Sequence, residues 1–289
     1  MTLIDANTNI YCIIGHPVEH SFSPIIYNSW FNDFNLNNVY IALNILPKNL
    51  KKAINGFKAI EISGFNVTIP YKERIIKYVN EVDPLAKNIG AVNTVKRESN
   101  LLKGINTDAV GAIEAIKQTH YEVNDKNVVI LGSGGAARAI SYVLVEEVNK
   151  ITILNRTKNR AINLAKELRK KYKKNIQGKV YSKNILEREL KRADILINTT
   201  PIGMYPLHKA SPVLKEYLHS DLFVFDLVYN PLETQLLQDA SNIGCKTLSG
   251  IHMLINQAVI AFEWWLNRKP NVDLIKNKII ELLRKKNVR

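Results

Sequence analysis

The chain has 289 residues, 46% of them hydrophobic and 23% charged, which is the composition of a folded globular protein rather than a disordered or low-complexity one. No apolar run reaches the roughly 18 residues that a membrane span needs, and the polar start, with an acid at Asp5, lacks the basic and apolar parts of a signal peptide. The net charge of +14 is scattered along the chain, so it reads as solvated surface rather than a nucleic-acid footprint.

In chain order, residues 10–14 read as a buried strand ended by Gly15 and Pro17. Pro24 opens a helix through Trp30 and Phe31, with Ser23 as its N-cap. Residues 39–44 form a second strand, and Pro47 starts a second helix towards Phe57. A third strand over 62–67 is broken by Pro70 before a short helix. Residues 91–95 and 101–105 flank the polar stretch 96–100 and predict a hairpin. This is an α/β unit with mixed strand directions.

From Thr107 the rhythm becomes regular. A helix over 108–117 leads to a strand at 127–131, a glycine cluster and another helix. A strand at 151–154, a long helix, strands at 194–198 and 222–226, and a helix from Leu232 follow. Apolar strands alternating with helices predict a doubly wound parallel sheet. The amphipathic segments 251–266 and 272–283 lack strands and are expected to pack back on the first domain. The densest basic runs, 169–174 and 284–289, fall at expected helix ends, where cations suit the helix dipole. Cys12 and Cys245 lie far apart in apolar segments, so neither a disulfide framework nor a Cys-ligated zinc site is expected, and the chain reads as reduced and cytoplasmic.

The strongest local motif is Gly132-Ser133-Gly134-Gly135-Ala136-Ala137-Arg138, directly after the strand at 127–131. Glycines there permit a tight turn and let the backbone approach a pyrophosphate seated at a helix N-terminus. A plain strand–helix turn uses the same residues, but the strand and helix on either side favour the dinucleotide reading. The next strand ends at Leu154, where an NAD site would place an acid for the ribose hydroxyls. Here Asn155-Arg156-Thr157 follow, with Arg160 one turn on. A guanidinium can grip the 2′-phosphate of NADP with paired, charge-assisted hydrogen bonds, so NADP is favoured over NAD. The blander alternative has Asn155 capping the next helix and Arg156 merely exposed.

The remaining polar clusters carry a resemblance. The segments Gly15-His16-Pro17-Val18-Glu19-His20-Ser21-Phe22-Ser23-Pro24, Gly64-Phe65-Asn66-Val67-Thr68-Ile69-Pro70-Tyr71-Lys72, Ile89-Gly90-Ala91-Val92-Asn93-Thr94 and Gly104-Ile105-Asn106-Thr107-Asp108 resemble, in this order, shikimate dehydrogenases. So do the glycine loop, Asn155-Arg156-Thr157, Asn198-Thr199-Thr200-Pro201-Ile202-Gly203-Met204, Asp226-Leu227-Val228-Tyr229-Asn230-Pro231 and Met253-Leu254-Ile255-Asn256-Gln257. The resemblance runs from Tyr11 to Trp265. His252 departs from it, standing where the family often has a small residue, which bears on cofactor packing near Gly250.

The resemblance implies reversible, NADPH-dependent reduction of 3-dehydroshikimate to shikimate, on the route to the aromatic amino acids. It implies a substrate carboxylate held by Ser21 and Ser23, further substrate contacts from Asn66, Thr68, Asn93, Tyr229 and Gln257, and a catalytic pair of Lys72 and Asp108. The NADP contacts would fall on Gly132, Ser133, Gly134, Gly135, Ala136, Asn155, Arg156, Thr157, Lys158, Asn159, Arg160, Leu227 and Gly250, with no metal. The residue types suit the task. A polyol with one carboxylate needs short neutral donors and acceptors, and Lys72 can give the proton that a developing alkoxide needs.

The expected architecture is an N-terminal mixed-sheet α/β substrate domain, 1–107, completed by helices within 251–289, plus a Rossmann NADP-binding domain, 108–250, with the active site in the cleft between them. The partner is a small-molecule substrate; no nucleic acid or membrane is expected, and a homodimer stays open. Two alternatives remain: a quinate/shikimate dehydrogenase of broader specificity, and a non-catalytic NADP-sensing protein on the same scaffold.

Overall fold

The computed structural model describes residues 4–286, with side chains through residue 283. Residues 1–3, and the side chains of the basic run 284–289, lie outside the described residues. The chain divides into two units, Met1–Thr107 with Gln257–Glu281, and Asp108–Asn256 with Leu282–Arg289.

The first unit opens with β1 (Asn9–Gly15), whose last five residues are buried, then α1 (Ser23–Asp33), β2 (Asn38–Asn44), a 3-10 turn at Pro47–Asn49 and α2 (Leu50–Ala59). β3 (Gly64–Val67), a 3-10 turn at Ile75–Tyr78, β4 (Glu81–Val82), α3 (Pro84–Ile89), β5 (Thr94–Glu98) and β6 (Leu101–Ile105) complete its strands. The sheet order is β2-β1-β3-β5-β6-β4. β1 pairs parallel with β2 and β3, whereas β5 pairs antiparallel with β3 and β6. The mixed sheet expected from the sequence is therefore present.

Two local readings need correction. Ser23 is not the N-cap of α1: Phe22 holds that position with helical backbone angles, so the helix begins one residue earlier than expected. The Ser21 oxygen accepts a hydrogen bond from the Ser23 amide (3.2 Å), which leaves the Ser23 hydroxyl for other work. The hairpin is also longer than expected, because Lys96 to Glu98 continue β5 and the turn falls at Ser99, whose φ is 53°. Lys96 and Lys103 both pair with Glu98, so these charged residues tolerate the strand by neutralising one another.

In the second unit, α4 (Thr107–Lys117) precedes β7 (Asn127–Leu131), α5 (Gly135–Leu144), β8 (Lys150–Asn155), α6 (Lys158–Tyr172), β9 (Asn175–Val180) and α7 (Lys183–Leu190). β10 (Ile195–Asn198), β11 (Phe223–Asp226), α8 (Gln235–Ile243) and β12 (Lys246–Ser249) follow. All six strands are parallel, in the order β12-β11-β10-β7-β8-β9. This is the Rossmann strand order, whose chain reversal point lies between β7 and β10. Apolar residues of α4, α5 and α6 bury one face of the sheet, and Leu186, Leu190, Leu236 and Leu237 of α7 and α8 bury the other.

α9 (Gly250–Leu266) and α10 (Val272–Lys286) end the described chain. From Gln257 onward α9 belongs to the first unit. There Phe262 and Trp265 pack among Tyr11, Tyr27, Trp30 and Phe31, and the Trp265 indole donates to the Val95 carbonyl at 3.0 Å. That burial explains the apolar composition of 257–266, while Met253 joins the core of the second unit. Among the described residues no helix is long and apolar enough to cross a membrane.

A buried charge cluster ties α7 to the sheet. Glu189 accepts from Lys179 (2.9 Å), Lys150 (3.2 Å), Arg188 (3.2 Å) and the Thr152 hydroxyl (3.3 Å). Burial alone would raise its carboxyl, but the hydrogen bonds from Lys179 and Lys150 outweigh that and bring it down to about 2. A carboxyl lowered on folding stabilises the fold above its unfolded pKa, and that stability is lost as pH falls towards the folded value. Glu189→Gln should therefore cost about 1–2 kcal/mol at neutral pH, after discounting for the water around its lysines. In urea unfolding the gap from the parent should narrow below pH 4.5 and nearly vanish at pH 2. A constant gap across this range would assign the effect to packing.

Candidate active site

In the first unit, β2, β3 and the start of β5 deliver polar side chains into a buried cluster. Asn66 of β3 accepts from the Tyr40 hydroxyl (2.6 Å) through Oδ1, and its Nδ2 donates to Thr94 Oγ1 (3.0 Å) and the Asn93 carbonyl (3.3 Å). Asn93 Oδ1 accepts from the Thr107 amide (2.7 Å), and Asn93 Nδ2 donates to the Thr107 hydroxyl (2.9 Å). The Thr107 hydroxyl in turn reaches Gln257 Oε1 (3.4 Å), and Ser23 hydrogen-bonds the Tyr40 phenol at the other end. Ser23, Asn66, Asn93 and Gln257, predicted from four distant segments, thus share one hydrogen-bonded cluster. Tyr40, Thr94 and Thr107 link them and were not among the predicted site residues.

Ser21 and Thr68 are half-buried at the ends of neighbouring elements; the Thr68 amide bonds the Ile14 carbonyl of β1 at 2.9 Å. Lys72 is half-buried on a frame fixed at both sides. The preceding Tyr71 is fully buried with its hydroxyl on the Ile45 carbonyl, and the Lys72 carbonyl accepts the Val92 amide at 2.8 Å. Asp108 and Tyr229 belong to the second unit. Asp108 is buried in the first turn of α4, one residue after the Thr107 that Asn93 holds. The protein around Tyr229 pushes its phenol up to about 12 through burial.

The second unit offers a cradle at the end of β7. Gly132 has φ +108°, a region that side chains disfavour, and a Cβ there would also meet Thr199 Oγ1 at 2.4 Å. At Gly134, which caps α5, a Cβ would enter open space. Space rather than backbone conformation distinguishes this glycine, which suits a ligand pressed against the first turn of α5. Ser133 Oγ is buried without a hydrogen-bond partner among the described residues, and α5 carries no acid in its first turn. An orphaned buried hydroxyl costs about 1–3 kcal/mol, which a phosphate acceptor would recover. These features fit a dinucleotide pyrophosphate. Gly135 and Ala136 open α5 half-exposed.

At the end of β8, Asn155 is half-buried and Arg156, Thr157, Lys158, Asn159 and Arg160 are all exposed. Asn155 does not cap α6; Thr157 holds that position, and the Asn155 amide donates to its carbonyl (3.0 Å). No acid lies in the first turn of α6, so a phosphate there would meet the cations of this loop at a helix N-terminus. Leu227 and Gly250 do meet: a Cβ on Gly250 would lie 2.1 Å from the Leu227 carbonyl oxygen, so only glycine fits there.

Asp226, at the end of β11, stands in the segment Asp226–Pro231 with no site role of its own. Its Oδ1 accepts from Asn198 Nδ2 (2.9 Å) and the Val228 amide (3.1 Å), and its Oδ2 from the Thr234 hydroxyl (2.6 Å). Asn198 Oδ1 accepts from Thr200 in turn. Burial pushes the Asp226 carboxyl up to about 6 against these three donors. The cluster fixes the loops after β10 and β11, including Leu227 and Tyr229. Among the described residues no group of three or more His, Cys, Asp or Glu side chains could hold a metal.

Residues 13–95 match the model of the shikimate dehydrogenase substrate binding domain, 114–243 that of shikimate / quinate 5-dehydrogenase, and 250–280 that of the shikimate 5'-dehydrogenase C-terminal domain. A shikimate dehydrogenase (NADP+) of Methanocaldococcus jannaschii is 48% identical over 284 residues, which are 98% of this chain and 100% of that protein. A crystal structure of a shikimate dehydrogenase in complex with NADP+ has a TM-score of 0.90 at 47% identity, covering 98% of each chain. A shikimate 5-dehydrogenase from Listeria monocytogenes, in complex with shikimate and NAD, gives 0.85 at 33% identity, over 96% of this chain and 98% of that one. With the sheet orders and polar clusters described above, end-to-end identity of this size shows that the chain belongs to the shikimate dehydrogenase family.

Proposed function

We propose that the chain is an NADP-dependent oxidoreductase of the shikimate pathway, which reversibly reduces 3-dehydroshikimate to shikimate. The observation that carries the reading is the cluster joining Ser23, Asn66, Asn93 and Gln257, a set of short neutral donors and acceptors suited to a hydroxylated ring. The first unit takes the substrate and the second the dinucleotide. Gly132 to Ala136 receive the pyrophosphate, Asn155 to Arg160 the adenosine end with its 2′-phosphate, and Leu227 and Gly250 complete that surface.

NADPH, when bound, supplies the hydride that converts the substrate carbonyl carbon to a CH–OH carbon. Lys72 Nζ gives a proton to the carbonyl oxygen as that oxygen gains negative charge, and takes it back in the oxidative direction. Asp108 accepts a hydrogen bond from a substrate hydroxyl and acts with Lys72 as one unit. Ser21 and Ser23 hold the substrate carboxylate, while Asn66, Thr68, Asn93, Tyr229 and Gln257 read the ring hydroxyls. A site built to pair hydroxyls rejects analogues that lack them, because its own buried groups are then left unpaired. The same reading has the protein working in the cytoplasm, as monomer or homodimer, without nucleic acid or membrane.

NADPH oxidation on addition of 3-dehydroshikimate tests the reading, with quinate and NAD assayed in parallel. Turnover of shikimate with NADP and not of quinate supports it; comparable quinate turnover would assign the broader activity. No turnover with retained NADPH binding would point to a non-catalytic NADP-binding protein. Ser21→Ala and Ser23→Ala should each raise KM for shikimate more than they lower kcat, because the carboxylate is held alike throughout the reaction. Unchanged kinetics in both would remove this segment from the substrate site.

A further inference from the structure

Tyr40 sits in β2 with its side chain 1% exposed, and every part of it is held. Asn28 of α1 grips its backbone twice: Asn28 Oδ1 accepts the Tyr40 amide and Asn28 Nδ2 donates to the Tyr40 carbonyl, each at 2.8 Å. The ring stacks on Tyr27 with centroids 4.4 Å apart and an interplanar angle of 21°. Its hydroxyl lies between Ser23 and Asn66, the two residues that start the polar cluster. Burial keeps this phenol protonated far into the alkaline range, so it remains a donor.

The polarity of these bonds is determined. Asn66 Nδ2 faces the Asn93 carbonyl, which can only accept, so the amide cannot be turned over. Asn66 Oδ1 must then be the atom facing Tyr40, and Tyr40 must be its donor. The two Nδ2 hydrogens are taken by the Asn93 carbonyl and Thr94. What Asn66 retains for a ligand is one lone pair on Oδ1, which accepts a hydroxyl hydrogen and repels a carbonyl or carboxylate oxygen.

We infer that Tyr40 is a positioning residue for substrate recognition, which anchors Asn66 Oδ1 and the placement of Ser23 through its hydroxyl. The inference rests on the assignment of Asn66 and Ser23 to the substrate, and it explains why a buried strand residue outside the predicted site carries a polar tip directed into it. Without the hydroxyl, Asn66 Oδ1 loses its anchor, and the amide is free to tilt towards the ligand.

The test is Tyr40→Phe, which keeps the ring and its stacking, set beside Asn66→Ala and the double variant. Tyr40→Phe should raise KM for shikimate by about tenfold, the scale of one lost buried hydrogen bond. Its kcat should stay within about threefold and its KM for NADP should not move, a split that general destabilisation would not produce. In the Asn66→Ala background, adding Tyr40→Phe should raise KM far less than it does alone, with only the Ser23 contribution remaining. A raised KM in Asn66→Ala with none in Tyr40→Phe would overturn the inference and leave the substrate assignment standing. An unchanged KM in Asn66→Ala would instead overturn the assignment itself. Multiplicative effects in the double variant would show that Tyr40 does not act through Asn66.

Discussion

Lys72→Ala should lower kcat by roughly 10²–10⁴-fold, the usual contribution of a positioned acid or base. The fold should survive the change, because the segment is fixed by Tyr71 on the Ile45 carbonyl and by the Lys72 backbone on Val92. NADPH affinity should hardly change, since the cradle at Gly132 and Gly134 belongs to the other unit. Asp108→Asn should also be severe. Asparagine keeps the shape at this buried first-turn position of α4 but removes the negative charge and half of the acceptor capacity. The double variant should be little worse than either single, as for groups that serve one proton transfer together. Steady-state kcat for shikimate oxidation, followed across the pH range, is the measurement. A Lys72→Ala enzyme that kept most of its kcat throughout would sink the assignment and leave the proton to water or another side chain.

How far such a site can be read from a sequence depends on whether its parts are local. The proposed dinucleotide cradle is local: one strand, one turn and one helix, so Gly132 to Ala136 announce themselves by spacing, and the strand–helix alternation around them gives the parallel sheet. Two edge strands of that unit lack a local signal. β9 buries only Ile176 among its six residues, and β12 carries Lys246 and Thr247 exposed, so neither shows the apolar run of a central strand. α3 did carry a signal, Asp83 before Pro84, and Asp83 does cap that helix by accepting the Ala86 amide at 2.7 Å.

The proposed substrate side is assembled from distant segments, and its hidden members are residues with an ordinary local reading. Tyr40 in an alternating strand reads as core, and it is core; only the arrival of Asn66 from β3 and Ser23 from α1 gives its hydroxyl a task. Ser23 next to Pro24 has the sequence context of a helix cap, yet its neighbour Ser21 accepts its amide and Phe22 takes the cap position. Asp226 at a strand end could not be told from a turn acid until Asn198, Val228 and Thr234 were seen to converge on it. In each case the missing information is which element packs beside which, and that is tertiary.

Arg156→Asp should separate the two nicotinamide cofactors. Replacing an attraction to the 2′-phosphate by a repulsion changes a charge contact by several kcal/mol, so NADPH affinity should fall by about 10²–10³-fold. NADH lacks that phosphate, and its affinity should change little. The geometry makes Arg156 the sensitive position: its side chain is exposed, no acid stands in the first turn of α6, and among the described residues it has no acidic partner whose loss could disturb the fold. Titrating the parent and the variant with each cofactor, by nucleotide fluorescence at low and moderate salt, reads both the preference and its electrostatic origin. The parent's advantage for NADPH should shrink as salt rises, because an exposed charge contact is screened beyond a Debye length of about 8–10 Å. An equal loss for both cofactors would mean that Arg156 supports the loop rather than the phosphate. The choice between cofactors would then fall to Arg160 and the α6 N-terminus.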